Sequence, residues 1–209
     1  ARPRRHRARR AGLAVSAAEF EQCIAGGGVA VFPADTVYGL ACDPGSPAAV
    51  ARLYELKGRP ADKPAAVMFF ALGPALAALP ELVPPLRAAL QALLPGAVTL
   101  LLPNPLARYP LACGPDPWTL GLRVPAPGPL AAVPVPVLQS SANRSGGADP
   151  CTVEEIDAAI RDGADLVVDG GRLPGTPSTV VDLRRYASGG GWSVVRDGAV
   201  AREEIAAAL

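Results

Sequence analysis

The chain has 209 residues and a mass of 21.3 kDa; half of its residues are hydrophobic and 19% are charged, which excludes a disordered protein and fits one domain with a substantial core. The net charge is +1, but six arginines fall within residues 1–10, leaving about −5 on the remainder, so a broadly basic nucleic-acid-binding surface is excluded. Cys23, Cys42, Cys113 and Cys151 form no C-x-x-C pair, and His6 in the arginine run is the only histidine, which excludes a zinc-finger spacing, a His-dependent triad or a His general base in the body.

Residues 1–12 read as a disordered basic tail and 13–209 as a single domain. Ser16 and Glu19 predict a capped helix to about Ala25, ended by Gly26-Gly27-Gly28. Val29–Phe32 is a buried strand, and Pro33–Leu40 leaves it. Ser46-Pro47 opens a helix that Gly58 ends after Lys57. A strand over 65–70 and helices over about 74–79 and 84–94 lead to Pro95-Gly96. Strands are predicted at 98–102, 119–124 and 134–140, a helix at 152–161, strands at 166–169, 179–183 and 192–196, and a closing helix at 201–208.

This order predicts an α/β fold, a mixed sheet with helices on its faces. Two uncharged stretches, 88–107 and 124–143, are broken by prolines and cannot be continuous membrane helices. Scattered thiols and no membrane span point to a cytoplasmic protein.

The only two lysines, Lys57 and Lys63, lie within seven residues of each other and flank Arg59. Three cations on a segment thrown out of a helix by Gly58 and Pro60 suit a ligand with several negative oxygens; a solvated charge cluster at a helix end is the alternative. Asp35, Thr36, Arg123, Ser141, Asn143, Ser178 and Arg196 stand at or near strand ends, where ligands collect in open α/β sheets. The sequence contains neither a Walker A loop nor G-x-G-x-x-G, so any nucleotide is held without those loops.

Taken in order, Phe32–Leu40, Lys57-Gly58-Arg59-Pro60 with Lys63-Pro64, Leu94–Leu100, Gly121–Pro125, Ser141–Gly146, Asp169-Gly170-Gly171 and Ser178–Asp182 resemble the motifs of the YrdC-type threonylcarbamoyl-AMP synthases. The resemblance implies a YrdC-like twisted mixed sheet with flanking helices around a large concave cavity. It implies an enzyme that makes threonylcarbamoyl-AMP and pyrophosphate from L-threonine, bicarbonate and ATP, with Mg²⁺ accompanying the ATP. The product would feed the threonylcarbamoyl modification of tRNA through a downstream transfer complex.

By the same resemblance, Lys57 and Arg59 would be catalytic. Arg59, Lys63, Thr119, Asn143 and Arg196 would face ATP, and Thr36, Arg123, Ser141 and Ser178 would face threonine. No metal ligand is assigned. Lys57 is expected to serve charge and not packing. Ala34, Met68, Gln139 and Cys151 depart from the family's usual residues. A carbamoyl-AMP-forming carbamoyl-transfer module and a non-enzymatic RNA-binding member of the family are the competing readings.

Overall fold

A computed structural model describes residues 16–209, so the tail expected at 1–12 lies outside the described residues. The helices are α1 (Ala17–Ala25), α2 (Pro47–Lys57), α3 (Leu72–Ala78), α4 (Pro84–Leu93), α5 (Pro110–Cys113), α6 (Ala158–Gly163) and α7 (Arg202–Ala208). The strands are β1 (Ala30–Pro33), β2 (Tyr38–Cys42), β3 (Ala66–Met68), β4 (Val98–Pro103), β5 (Thr119–Arg123), β6 (Val137–Ser141), β7 (Leu166–Val167), β8 (Thr179–Asp182) and β9 (Ser193–Arg196). They form one mixed sheet in the order β7-β1-β2-β6-β3-β5-β4-β8-β9. The pairs β7–β1, β3–β5 and β4–β8 are parallel, and the rest are antiparallel.

Local chemistry explains the helices nearest the site. Ser16 accepts from the Glu19 amide while the Glu19 carboxylate accepts from the Ser16 amide, closing the capping box that starts α1. Ser46 caps α2, and Pro47 occupies its first turn, where a missing N–H costs nothing. Gly58 then takes φ 59°, a left-handed conformation that turns the chain sharply after Lys57.

The period of two along the strands gives the sheet its faces. Tyr38, Leu40, Val67, Leu100, Leu102, Leu120, Leu122 and Leu138 are buried in the main core with Leu53 of α2, Leu86 and Leu90 of α4, Ile160 and Ile205. Alternate residues point the other way. There Phe32, Ala41, Met68 and Val137 pack with Phe20 and Ile24 of α1 and with Phe70, the three phenylalanine rings lying 5.6–6.2 Å apart. Further along this second face stand Gly39, Ala66, Thr99, Thr119, Gly121, Gln139 and Ser141, small or polar side chains that leave a hollow.

Two predicted elements are corrected. Residues 33–40 do not simply leave β1: the chain turns and returns as β2, antiparallel to β1 in the register Phe32↔Gly39. The helix expected over 152–161 starts only at Ala158, capped by Asp157. Before it the chain runs in turns, with the Glu155 carboxylate accepting from the Cys151 amide at 2.7 Å. Val153 and Ile156 still reach the core from those turns, so their helix-like spacing is used without a helix.

Candidate functional site

The hollow is a cavity of about 450 Å³. That is within the usual range for a small-molecule site. Of the residues singled out from the sequence, Arg59, Thr119, Arg123, Ser141, Ser178 and Arg196 line it. Thr36, Lys57, Lys63 and Asn143 do not, although three of them hold residues that do.

Lys57, the last residue of α2, is 2% exposed. Its ammonium donates to the Ser141 carbonyl at 2.5 Å, the Asn143 carbonyl at 2.8 Å and Asn143 Oδ1 at 2.7 Å. An ammonium has three donors, and all three are engaged. Asn143 Oδ1 also accepts from the Ser141 hydroxyl at 2.7 Å, and its Nδ2 donates to the Gly147 carbonyl. Lys57 thus fastens the end of α2 to the 141–147 loop, and it serves packing as well as charge. Its partners are neutral oxygens. Burial first, then the nearby Arg59, pushes its pKa down to about 8, with Asp149 opposing.

Arg59 lies over the Tyr54 ring, 5.8 Å from its centroid, and donates to the Pro64 carbonyl at 2.6 Å. Tyr54 donates to the Lys63 carbonyl at 2.9 Å. These contacts close the 58–64 segment on itself, so Arg59 meets the cavity while the Lys63 side chain is exposed outside it. The buried Arg59 Nε has no partner.

Arg123 ends β5 and is 3% exposed. Its Nη2 donates to Asp35 Oδ1 at 2.5 Å and to the Thr36 hydroxyl at 2.6 Å. Burial lowers its pKa, and the Asp35 carboxylate opposes that shift. Across the cavity wall, the Ser178 and Thr99 hydroxyls share a hydrogen bond at 2.8 Å, and Arg196 donates to the Ser178 carbonyl at 2.6 Å. The Thr119 hydroxyl donates to Asp116 Oδ2 at 2.6 Å and accepts from Arg184 at 3.3 Å.

Asp116, Asp149 and Arg184 were not among the candidate site residues, and Asp35 was noted only for its place at a strand end, with no role. Asp116, Asp149 and Arg184 line the cavity, and Asp35 holds Arg123. Asp35 stands at a strand end, which is a weak signal. Its pairing with a residue 88 positions away has no sequence signal at all. Tyr38 fixes the neighbouring segment: its hydroxyl donates to the Gly171 carbonyl at 2.7 Å and accepts from the Gly170 amide at 2.9 Å, and burial pushes its pKa up to about 12.

Among the described residues there is no group of three His, Cys, Asp or Glu side chains able to hold a metal ion. The cavity therefore combines cationic, hydroxyl and carboxylate groups suited to an anionic and zwitterionic ligand set, without a preformed metal cage.

The profile of the Sua5/YciO/YrdC family, described as "Telomere recombination", matches residues 22–198. A threonylcarbamoyl-AMP synthase from Nitrosococcus oceani is 35% identical over 178 residues, 77% of this chain and 89% of its own. One from Mus musculus is 36% identical over 174 residues, 75% of this chain but 59% of its own. Among solved structures, that of Pyrococcus abyssi Sua5 complexed with L-threonine superposes with a TM-score of 0.79 at 26% identity, covering 93% of this chain and 58% of that one. The chain thus spans most of one relative and little more than half of the other two.

Proposed function

The chain belongs to the Sua5/YciO/YrdC family, and from that premise we propose that it is a threonylcarbamoyl-AMP synthase, a nucleotidyltransferase that joins L-threonine, bicarbonate and ATP. The observation that carries this reading is that one cavity presents Arg59, Thr119 and Arg196 together with Arg123, Ser141 and Ser178. Threonine is a zwitterion with a carboxylate, and ATP is a polyanion; one hollow with several fixed cations can hold both in contact.

In this reading the Arg123 guanidinium takes the threonine carboxylate. Ser141, Ser178 and Thr36 frame the same end. The threonine ammonium gives one proton to bicarbonate, which breaks a C–O bond to release water and CO₂; the amine nitrogen then bonds to the CO₂ carbon and gives up a second proton to solvent, leaving a carbamate. A carbamate oxygen then bonds to the α-phosphorus of ATP, and the bond from that phosphorus to the leaving pyrophosphate breaks. Arg59 and Arg196 offset charge on the phosphates, and Lys57 with Asn143 holds the Ser141 end of the wall in position. Lys63 stands on the exposed turn beside Arg59, close enough in sequence to meet the outer phosphates. Mg²⁺ would enter with the triphosphate as part of the substrate and would offset phosphate charge beside Arg59 and Arg196.

The product passes to a threonylcarbamoyl-transfer complex acting on tRNA. We place the activity in the cytoplasm; no helix among the described residues is long and apolar enough to cross a membrane.

The test is pyrophosphate release from ATP and bicarbonate, with and without L-threonine, with L-serine as control. Release at least tenfold higher with threonine supports the synthase. Release with carbamoyl phosphate in place of threonine and bicarbonate would replace it with a carbamoyl-transfer module.

A further inference from the structure

Asp35 stands at a strand end, and its partner there, Arg123, is not revealed by its sequence position. It sits on the turn between β1 and β2, with its side chain only 8% exposed. One carboxylate oxygen accepts from Arg123 Nη2 at 2.5 Å, and the other accepts from the Ala126 amide at 2.9 Å. It therefore grips both the side chain at the end of β5 and the backbone three residues further on. Thr36, the next residue, takes Nη2 from a second direction at 2.6 Å. With Nη2 held twice, the guanidinium cannot rotate without losing both bonds.

Two further facts show what this grip is for. Arg123 lines the 450 Å³ cavity, while Asp35 lines a second hollow of about 120 Å³ formed with residues 125–131, and Ala34 lines both. The ion pair thus spans two neighbouring hollows, with the cation bordering the site and the anion bordering the smaller one. In addition, the buried Arg123 Nε has no partner, and Arg196 stands close enough to oppose the charge on Arg123. Two guanidiniums and one carboxylate leave this corner one negative charge short. A substrate carboxylate supplies that charge.

We propose that Asp35 is the positioning residue for amino-acid recognition, locking Arg123 into the orientation that receives the substrate carboxylate before the substrate arrives. This inference rests on the threonine-binding reading of the same cavity. It assigns Asp35 no contact with the reacting atoms; the residue acts through Arg123 alone.

The experiment is calorimetric binding of L-threonine and, separately, of a non-hydrolysable ATP analogue to the full chain, for the wild type, Asp35→Asn and Asp35→Glu. Asp35→Asn removes the charge. Asp35→Glu keeps it on a stem one methylene longer, so the buried arginine keeps a counter-ion and the protein folds even if Asp35→Asn does not. Threonine affinity is expected to fall at least tenfold in both variants, with affinity for the nucleotide analogue changed less than threefold; in turnover, the KM for threonine rises while kcat at saturating threonine stays within threefold. L-Threoninol, which lacks the carboxylate, should bind the wild type and Asp35→Glu equally weakly. Wild type that binds threonine, with Asp35→Glu binding it equally well, overturns the assignment of Asp35 alone. Equal weakening of threonine and nucleotide makes Asp35 a merely structural residue and also overturns it. Wild type that binds no threonine overturns the reading of the cavity and this inference with it.

Discussion

Lys57 and Arg123 are both cations, both almost fully buried and both fixed by hydrogen bonds, yet their surroundings differ in one respect. Lys57 gives its protons to two carbonyls and an amide oxygen, none of them charged. Arg123 gives Nη2 to a carboxylate and a hydroxyl. Burying an ion among neutral dipoles leaves part of its desolvation cost standing, whereas a carboxylate offsets more of it. The lysine pKa accordingly drops to about 8. For Arg123 the burial effect is opposed by Asp35, and a guanidinium stays charged in any case. A lysine among carbonyls is a fastener whose charge depends on pH; an arginine on a carboxylate is a permanent, oriented charge facing a ligand.

Removing each cation should therefore fail differently. Arg123→Met should cost the most in function, lowering kcat/KM for threonine by about 10²–10³-fold, because it removes the ligand for the carboxylate and strands Asp35. Lys57→Met keeps the stem as far as the ε position but takes the ammonium donor from the Ser141 and Asn143 carbonyls and leaves Asn143 Oδ1 with the Ser141 hydroxyl alone. It should lower stability by roughly 2–4 kcal/mol, read from the denaturant midpoint, and reduce turnover with ATP and threonine alike. An unchanged midpoint with lost turnover would return Lys57 to a purely electrostatic role.

Smaller effects sharpen the contrast. Thr36→Val removes one of the two acceptors on Arg123 Nη2 and should raise the KM for threonine by about tenfold, with the KM for ATP unchanged. The pH dependence separates the two cations further. Lys57 is depressed from 10.5 to about 8 in the folded protein, so between about pH 8 and 10.5 the unfolded chain binds more protons and stability rises with pH. Across that window the wild type should gain roughly 1–3 kcal/mol relative to Lys57→Met, measured by denaturation at each pH. By the same linkage, openings of the 141–147 loop that expose Lys57 become less favourable over this range, so the Ser145 amide, which donates to the Lys57 carbonyl, should gain protection once exchange is corrected for its intrinsic rise with pH.

What could be read from the sequence follows the range of the interactions. The caps at Ser16 and Ser46, the stop at Gly58 and the alternating strand expected at 119–124 are local signals; the structure has the caps and the stop where expected and the strand at Thr119–Arg123. β2 was missed because Gly39 interrupts an apolar run that begins one turn after Pro33; its pairing with β1 and β6 decides it. The helix expected at 152–161 was misplaced because Val153, Ile156 and Ile160 meet helical spacing while only Ile160 is in the helix. The cationic segment 57–63 was legible as a group, but its distribution was not: Lys57 turns inward to the 141–147 loop, Arg59 toward the cavity and Lys63 to solvent. Asp35 carried only the weak mark of a strand end because its partner Arg123 lies 88 residues away, and Arg184, held mainly by Asp182 two residues before it, gives no local sign that it borders the cavity.

The measurement that tests the account most directly is mass analysis of the adenylated product formed from ATP, L-threonine and ¹³C-bicarbonate. The account predicts a threonine-dependent nucleotide whose mass includes AMP, threonine and one labelled carbonyl carbon, with one pyrophosphate released for each. AMP or pyrophosphate formed without threonine, or a threonine adduct that lacks the label, would contradict it.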